Sequence, residues 1–268
     1  MSQYEQIVAM WQSFNVKNES DFAQRLDHFK ILFAYHSGKI ENDEIDFHDT
    51  REVFEHGRMS NFSGNPRTLF ETYNQKIGYE FLLPHLVART PLSLHLIKEV
   101  HRVLTEGTYD ERRYIENGER PGTFKITDYV TGIHEVGARP EDVAKDLEDL
   151  LAEIDDFDSQ ITSKNILKVA TYFHARFEAI HPFADGNGRV GRTLLNYLLI
   201  INNHPPLIVY EEDRREYYAS LQKFDETEDL ENLLVFFTQQ LEKSWDTQLA
   251  KFQGKQTINR KTLTDIIK

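Results

Sequence analysis

The stretch HPFADGNGRVGR, residues 181–192, separates two segments of helical apolar spacing and decides how the chain reads. Asp185-Gly186 and Asn187-Gly188 are consecutive turn dipeptides, and glycine permits the positive φ angles that gather backbone N–H groups into one anion-binding concavity. A helix beginning near Arg189 would add its free N–H groups and positive dipole end at the same point. Arg189 and Arg192 stand three apart on its first turn, hence on one face, and offer forked donors to phosphate oxygens. Asp185 is a hard oxygen ligand suited to Mg2+ or Mn2+ on phosphates. His181 is the side chain whose ordinary pKa suits proton abstraction near neutral pH. The set has the chemistry of a polyphosphate cradle equipped for transfer, a reaction that needs positioning and charge neutralisation.

Working outward, apolar residues recur at helical spacing in segment after segment, which predicts an all-α fold. Ser20 is the expected cap of a first helix carrying Phe22, Leu26, Phe29 and Phe33. A second pattern runs through Leu69, Tyr73, Ile77 and Phe81. Thr90-Pro91 predicts the start of a helix through Leu94, Ile97 and Val103. Pro140 opens another with Val143, Leu147, Leu150 and Ile154 inward. A long helix from about Asn165 through Phe173 and Phe177 stops at Pro182, because proline disfavours helix at the residue before it. After the helix holding Leu194, Leu195, Leu198 and Ile201, two more are expected around Tyr217 and Leu234. The exception is the glycine-interrupted run from Gly118 to Arg139, which predicts an extended segment or hairpin.

Nine fixed residues of the 181–192 stretch match the pattern HPFx[D/E]GNGRxxR without a departure, a coincidence expected on the order of once in 10¹¹ to 10¹² positions. On that motif the chain resembles the Fic family. The resemblance implies an all-α Fic fold with a short β-hairpin flap over the active-site loop, and transfer of AMP from ATP to a Ser, Thr or Tyr hydroxyl of a target protein. Position by position, it implies His181 as general base, Phe183 as buried anchor and Asp185 as metal ligand. Gly186, Asn187 and Gly188 resemble the phosphate-binding hole, and Arg189 and Arg192 the phosphate-binding arginines. RPGTFKITDYVTGIHEVGARPEDV, residues 120–143, resembles the flap, with Val130, Thr131, Gly132 and Ile133 holding the target by strand addition. RREYYASLQKFD, residues 214–225, resembles the adenine side, with Tyr217, Tyr218 and Asp225 as candidates. Ser37 to Asn42, SGKIEN, fits the family's inhibitory pattern [S/T]xxxE[G/N]. A forked Glu41–Arg192 pair would then deny that arginine to the γ phosphate, with Ser37 fixing the helix. The implied organisation is 1–89 as an N-terminal helical region with the inhibitory helix, 90–242 as the catalytic core, and 243–268 as a helical extension. Transfer of another phosphate-linked group, removal of AMP, and a non-catalytic ATP-sensing module stay open as alternatives.

Composition bounds the partners. The 268 residues are 40% hydrophobic and carry no cysteine, so disulfides, thiolate zinc sites and cysteine nucleophiles are excluded. A formal charge of −13 argues against nucleic-acid or membrane-surface partners and makes the two motif arginines a local feature. With neither a leader pattern nor a long apolar run, a soluble, cytoplasmic protein is expected. Self-modification and a homodimer remain compatible with this reading.

Overall fold

The computed structural model describes residues 1–60, 62–131 and 135–254, and within them the chain forms ten α-helices. At the centre, α7 (Ile166–Ile180) and α8 (Asn187–Ile201) pack against each other. Their stripes, Leu167, Ala170, Phe173 and Phe177 on one and Val190, Leu194 and Leu198 on the other, are buried at the i, i+3, i+4 spacing that turns one helix face to a core. The connection between them is the 181–192 motif.

The flanking helices seal the pair. α6 (Val143–Phe157) and α10 (Glu231–Phe252) pack on α7, while α2 (Glu19–Glu41), α4 (Pro66–Ala88) and α5 (Leu94–Thr105) pack on α8. α9 (Arg214–Thr227) bridges α7 and α10. α1 (Gln3–Ser13) lies on α10, and α3 (Phe47–His56) joins α2 to α4. α10 runs unbroken across residue 242.

Several local expectations are revised. The helix expected to be first is the second, because α1 precedes it, capped by Ser2 and Glu5 in a reciprocal box. α2 is capped by Asn18 rather than Ser20: Asn18 accepts from the Asp21 N–H and Asp21 returns the bond. α5 is capped by Ser93, whose Oγ accepts from Leu96, and not by Thr90, whose carbonyl accepts from Tyr197 Oη. In α4 the stripe Leu69, Tyr73, Ile77 and Phe81 is not the buried one; Ile77 is 47% exposed. Over its first half the face turned inward is polar, comprising Thr68, Glu71, Thr72, Asn74 and Gln75, before Leu82 and Leu86 join the core.

In the glycine-interrupted run, β1 (Val130–Thr131) and β2 (Glu135–Val136) pair antiparallel, with Val130 opposite Val136. Gly132 and Ile133 lie outside the described residues. The flanks of the run are tied to the motif loop and to the end of α7, Lys125 N–H to Pro182 O at 2.9 Å and Ala138 N–H to Ile180 O at 2.9 Å.

Trp245 of α10 knits the outer helices together: its ring meets Trp11 of α1 edge-on at 5.3 Å, stacks on Phe29 of α2 at 5.9 Å, and its Nε1–H donates to Pro206 O at 2.6 Å. Trp245→Ala should therefore destabilise the fold by about 3–5 kcal/mol, read as a lowered urea midpoint. A loss within 1 kcal/mol, on the order of an exposed-site substitution, would mean that α1 and α2 are held elsewhere.

Candidate active site

α7 ends because His181 takes a left-handed conformation, φ 50°, ψ 63°, and Pro182 follows it. The loop then dives inward. Phe183 is fully buried and stacks on the ring of His101 of α5, centroids 3.7 Å apart and planes at 2°. The Asn187 side chain clamps the loop's backbone, accepting from Phe183 N–H at 2.9 Å and donating to Phe183 O at 2.7 Å. That leaves its backbone N–H, not its amide, for a ligand. Gly186 caps α8 at φ 81°, where a Cβ would also stand 2.5 Å from Thr105. Among the described residues no side chain caps α8, so the first-turn N–H groups are the ones this helix end leaves for a ligand.

A cavity of about 240 Å³ opens over that helix end, lined in part by His181, Asp185, Gly186, Asn187, Gly188 and Arg189. Burial, reinforced by the nearby Lys125 ammonium and only partly offset by Asp185, lowers His181 to about 4, so its ring is neutral at pH 7. Burial pushes the Asp185 carboxyl up, but Arg189, Arg67, Arg113 and the Gly186 N–H together hold it below its ordinary value. Its Oδ2 receives Arg67 Nη2 at 2.7 Å and its Oδ1 the Gly186 N–H at 2.7 Å. Among the described residues no group of three or more His, Asp or Glu side chains could hold a metal. An ionised carboxylate opening on a phosphate-sized cavity nonetheless fits a Mg2+ site of the one-carboxylate kind, in which phosphates and waters complete the shell.

The two motif arginines sit deeper than expected. Arg189 is buried, with Nη1 3.2 Å from Glu71 Oε1 and Nη2 3.7 Å from Asp185 Oδ1. Arg192 is 1% exposed and does not line the cavity. Its Nη2 donates to Glu41 Oε1 at 2.8 Å and to Ser37 O at 2.9 Å, and its Nε to Ser37 Oγ at 3.1 Å. The pair with Glu41 is thus a single contact and not a fork, and Ser37 grips the arginine itself. Glu41 stands between the cavity, which it lines, and Arg192. Gly188 makes room for this: a Cβ there would lie 2.3 Å from Glu41 Oε1. Asn42 caps the end of α2 and donates to Glu71 Oε2 at 2.8 Å and Thr68 Oγ1 at 3.0 Å.

The adenine-side candidates stand apart from this cavity. Tyr217 is buried between Phe236 and Phe237, hydrogen-bonded to His174 Nε2 at 2.8 Å, with the Arg192 guanidinium 5.8 Å from its ring. Tyr218 is 46% exposed, and Asp225 lies on the exposed side of α9. Beside them, burial, with Glu41 and Asp225 adding to it against Arg192, raises the Glu178 carboxyl to about 8.

The sequence profile of the Fic/DOC family matches residues 91–199, spanning this loop and the helices that carry it. The chain carries a Fic/DOC domain. Among curated relatives it is 30% identical over 199 residues to "Protein adenylyltransferase fic-1" of Caenorhabditis elegans, covering 71% of this chain and 36% of that protein. It is 30% identical over 217 residues to "Protein adenylyltransferase Fic" of Drosophila grimshawi, covering 80% and 42%. The chain thus spans well under half the length of these relatives. A Fic domain-containing signaling protein from Bacteroides thetaiotaomicron has the same fold, with a TM-score of 0.78 at 22% identity over 94% of this chain and 97% of that one.

Two residues that position the Fic loop are absent from the motif. His101 is fully buried, its Nδ1 accepting from Gly122 N–H at 2.8 Å, so its Nε2 carries the proton donated to Asp185 O at 3.0 Å. Its place on the inward stripe with Ile97 and Leu104 was a visible signal. Glu71 gave no such signal, since it lies on the polar face of α4.

Burial holds His36, His181 and His204 near 4 and His101 and His174 near 3. Their folded values lie below the unfolded 6.5, so acidification protonates the unfolded chain first and stability falls from pH 6.5 towards 4. Glu178 has the opposite sign: its folded value of about 8 exceeds the unfolded one, and its contribution is lost as pH rises through 8. Urea melts should show maximal stability near pH 6.5, with an alkaline decline that Glu178→Gln flattens. An alkaline limb unchanged in that variant would remove Glu178 as its source.

Proposed function

We propose that this chain is a protein adenylyltransferase that moves AMP from ATP to a Ser, Thr or Tyr hydroxyl of a target protein, with Glu41 as an internal brake. The observation that carries it is the neutral His181 sharing one cavity with Asp185 and an uncapped helix N-terminus. Binding alone needs no base.

In this reading the N–H groups of Asn187 and Gly188, that of Gly186 once it leaves Asp185 Oδ1, and the guanidinium of Arg189 receive the phosphates, and Asp185 would hold Mg2+ or Mn2+. The metal supplies charge neutralisation at the phosphates. The target hydroxyl oxygen forms a bond to the α phosphorus as the bond to the β-phosphate oxygen breaks, pyrophosphate leaves, and the hydroxyl proton passes to His181 Nε2 or Nδ1. A base near 4 is weak, but phosphate charge brought beside the ring raises it towards working pH. The β1–β2 segment, joined on one side to the loop and on the other to the end of α7, serves as the flap along which the target strand adds, Val130, Thr131, Gly132 and Ile133 being the residues assigned to hold it. Residues 90–242 then form the catalytic unit, 1–89 the controlling region and 243–268 an extension. The adenine lies towards Tyr218 and Asp225, with Tyr217 supporting Arg192 from the core. Self-modification and a homodimer are compatible with the same surface.

The brake follows from the burial of Arg192. While Glu41 holds Nη2, that arginine cannot take the γ phosphate, and its buried Nη1, which has no hydrogen-bond partner among the described residues, stays unused. Calorimetric titration and auto-modification assays test this. Glu41→Gly should raise transfer by at least tenfold, since a coupling of about 1–3 kcal/mol shifts an equilibrium by that order. The gain should vanish in Glu41→Gly with Arg192→Ala. Transfer and ATP affinity unchanged in Glu41→Gly would dismiss the brake.

His181→Ala, made in the Glu41→Gly chain, should keep ATP affinity and lose about 10² to 10⁴ in transfer rate. Retained transfer would remove His181 from the mechanism, and lost ATP affinity would make it a binding group.

A further inference from the structure

Among the described residues that line the cavity, Asp185 is the only carboxylate besides Glu41, and its Oδ2 already has a cation in direct contact. Arg67 reaches across from the first turn of α4 with Nη2 2.7 Å from Asp185 Oδ2. The guanidinium is not there by chance orientation, for its Nε is held by Glu71 Oε1 at 2.9 Å, one helical turn on. Glu71 is itself buried and fixed from two other sides, by the Asn42 amide at 2.8 Å and by Arg189 Nη1 at 3.2 Å. Arg67 is 34% exposed, at the rim, with solvent into which a long side chain can swing.

We propose that Arg67 is a resident cation on the metal-binding carboxylate, occupying Asp185 Oδ2 in the resting protein and leaving it when a divalent metal binds. The proposal rests on the reading of Asp185 as metal ligand. Asp185 Oδ1 already accepts the Gly186 N–H at 2.7 Å with Arg189 Nη2 3.7 Å away, so a Mg2+ ion would take Oδ2, and two cations crowded on that one oxygen, the guanidinium at 2.7 Å and the metal at about 2.1 Å, repel and compete. The competitor belongs to the N-terminal region, outside the matched family segment of residues 91–199, and it is locked by Glu71, which also accepts from the residue after Glu41. Release of α2 would remove the Asn42 amide from Glu71 and loosen the hold on Arg67. The N-terminal region therefore opposes the loaded site twice, at Arg192 for the γ phosphate and at Asp185 for the metal.

ADP separates the two, because it lacks the γ phosphate that Glu41 opposes. Its affinity is measured by calorimetry in EDTA and in saturating Mn2+ for the wild-type chain, Arg67→Ala, Arg67→Lys and Asp185→Ala, and the ratio of the two affinities gives the metal's contribution. Arg67→Ala should raise that ratio about tenfold, the order of one charge-assisted hydrogen bond. Arg67→Lys, which keeps the charge without the fork that Glu71 locks, should fall between and serves if the alanine variant folds poorly. Asp185→Ala should bring the ratio to one. If Asp185→Ala keeps the wild-type ratio, the metal reading of Asp185 fails and the proposal with it. If Asp185→Ala collapses the ratio while Arg67→Ala leaves it unchanged, the competition is refuted alone. Weaker ADP binding by Arg67→Ala in EDTA, with no gain in the ratio, would make Arg67 a phosphate ligand instead.

Discussion

A guanidinium buried to the extent of Arg192 must be neutralised where it stands, because an unpaired charge in that environment costs several kcal/mol, on the order of the whole stability of a domain. Burial would lower the arginine's pKa, but Glu41 together with Tyr217, Tyr218 and Glu178 raises it on balance, so it stays charged. Ser37 supplies both a hydroxyl and a carbonyl. All three partners come from the last turn of α2. The docking of α2 on α8 is therefore fixed at its C-terminal end by an electrostatic requirement and along its length by Phe22, Leu26 and Phe29 in the core. The glycine at 188 is part of the same constraint, since any side chain there would drive Glu41 off.

From that pair a chain of contacts runs along the inner face of α4. Asn42 follows Glu41 and binds Glu71; Glu71 binds Arg67 and meets Arg189; both arginines meet Asp185. On the proposed function, the places meant for phosphates and a metal are filled here with the protein's own charges of the corresponding signs, a carboxylate on one arginine and an arginine on the carboxylate. Such internal pairing stabilises the empty site and must be exchanged for ligand contacts on loading, so affinity reports the difference between two sets of ion pairs.

Much of this was legible in the sequence because it is carried by local chemistry. The glycines, the proline after His181 and the arginine spacing specify a loop and a helix start whatever surrounds them, and the apolar stripes of α7 and α8 specify that both helices are buried. What the sequence hid was carried by polar residues in the interior. The face that α4 turns inward holds Thr68, Glu71 and Asn74, which look solvent-facing to any periodicity measure, while the apolar residues Phe70 and Ile77 lie outside. Arg67 and Glu71 become functional candidates only when the fold brings them to Asp185, 118 positions away in the case of Arg67. Tyr217 is ambiguous in the other direction, since a tyrosine on an amphipathic helix reads equally as a ligand platform or as core, and here it packs on Phe236, Phe237 and His174. The glycine-interrupted run was legible as non-helical, its pairing being too short for alternation to show.

In the proposed function the α phosphorus of ATP is the centre attacked. This is tested most directly by incubating the Glu41→Gly chain and a cell lysate with ATP labelled with ³²P at either the α or the γ position, then measuring protein-bound label after denaturing electrophoresis. Label from the α position alone, stable to denaturation and dependent on a divalent metal, is the predicted result. Label from the γ position alone, or none from either while ATP binding is retained, would contradict it.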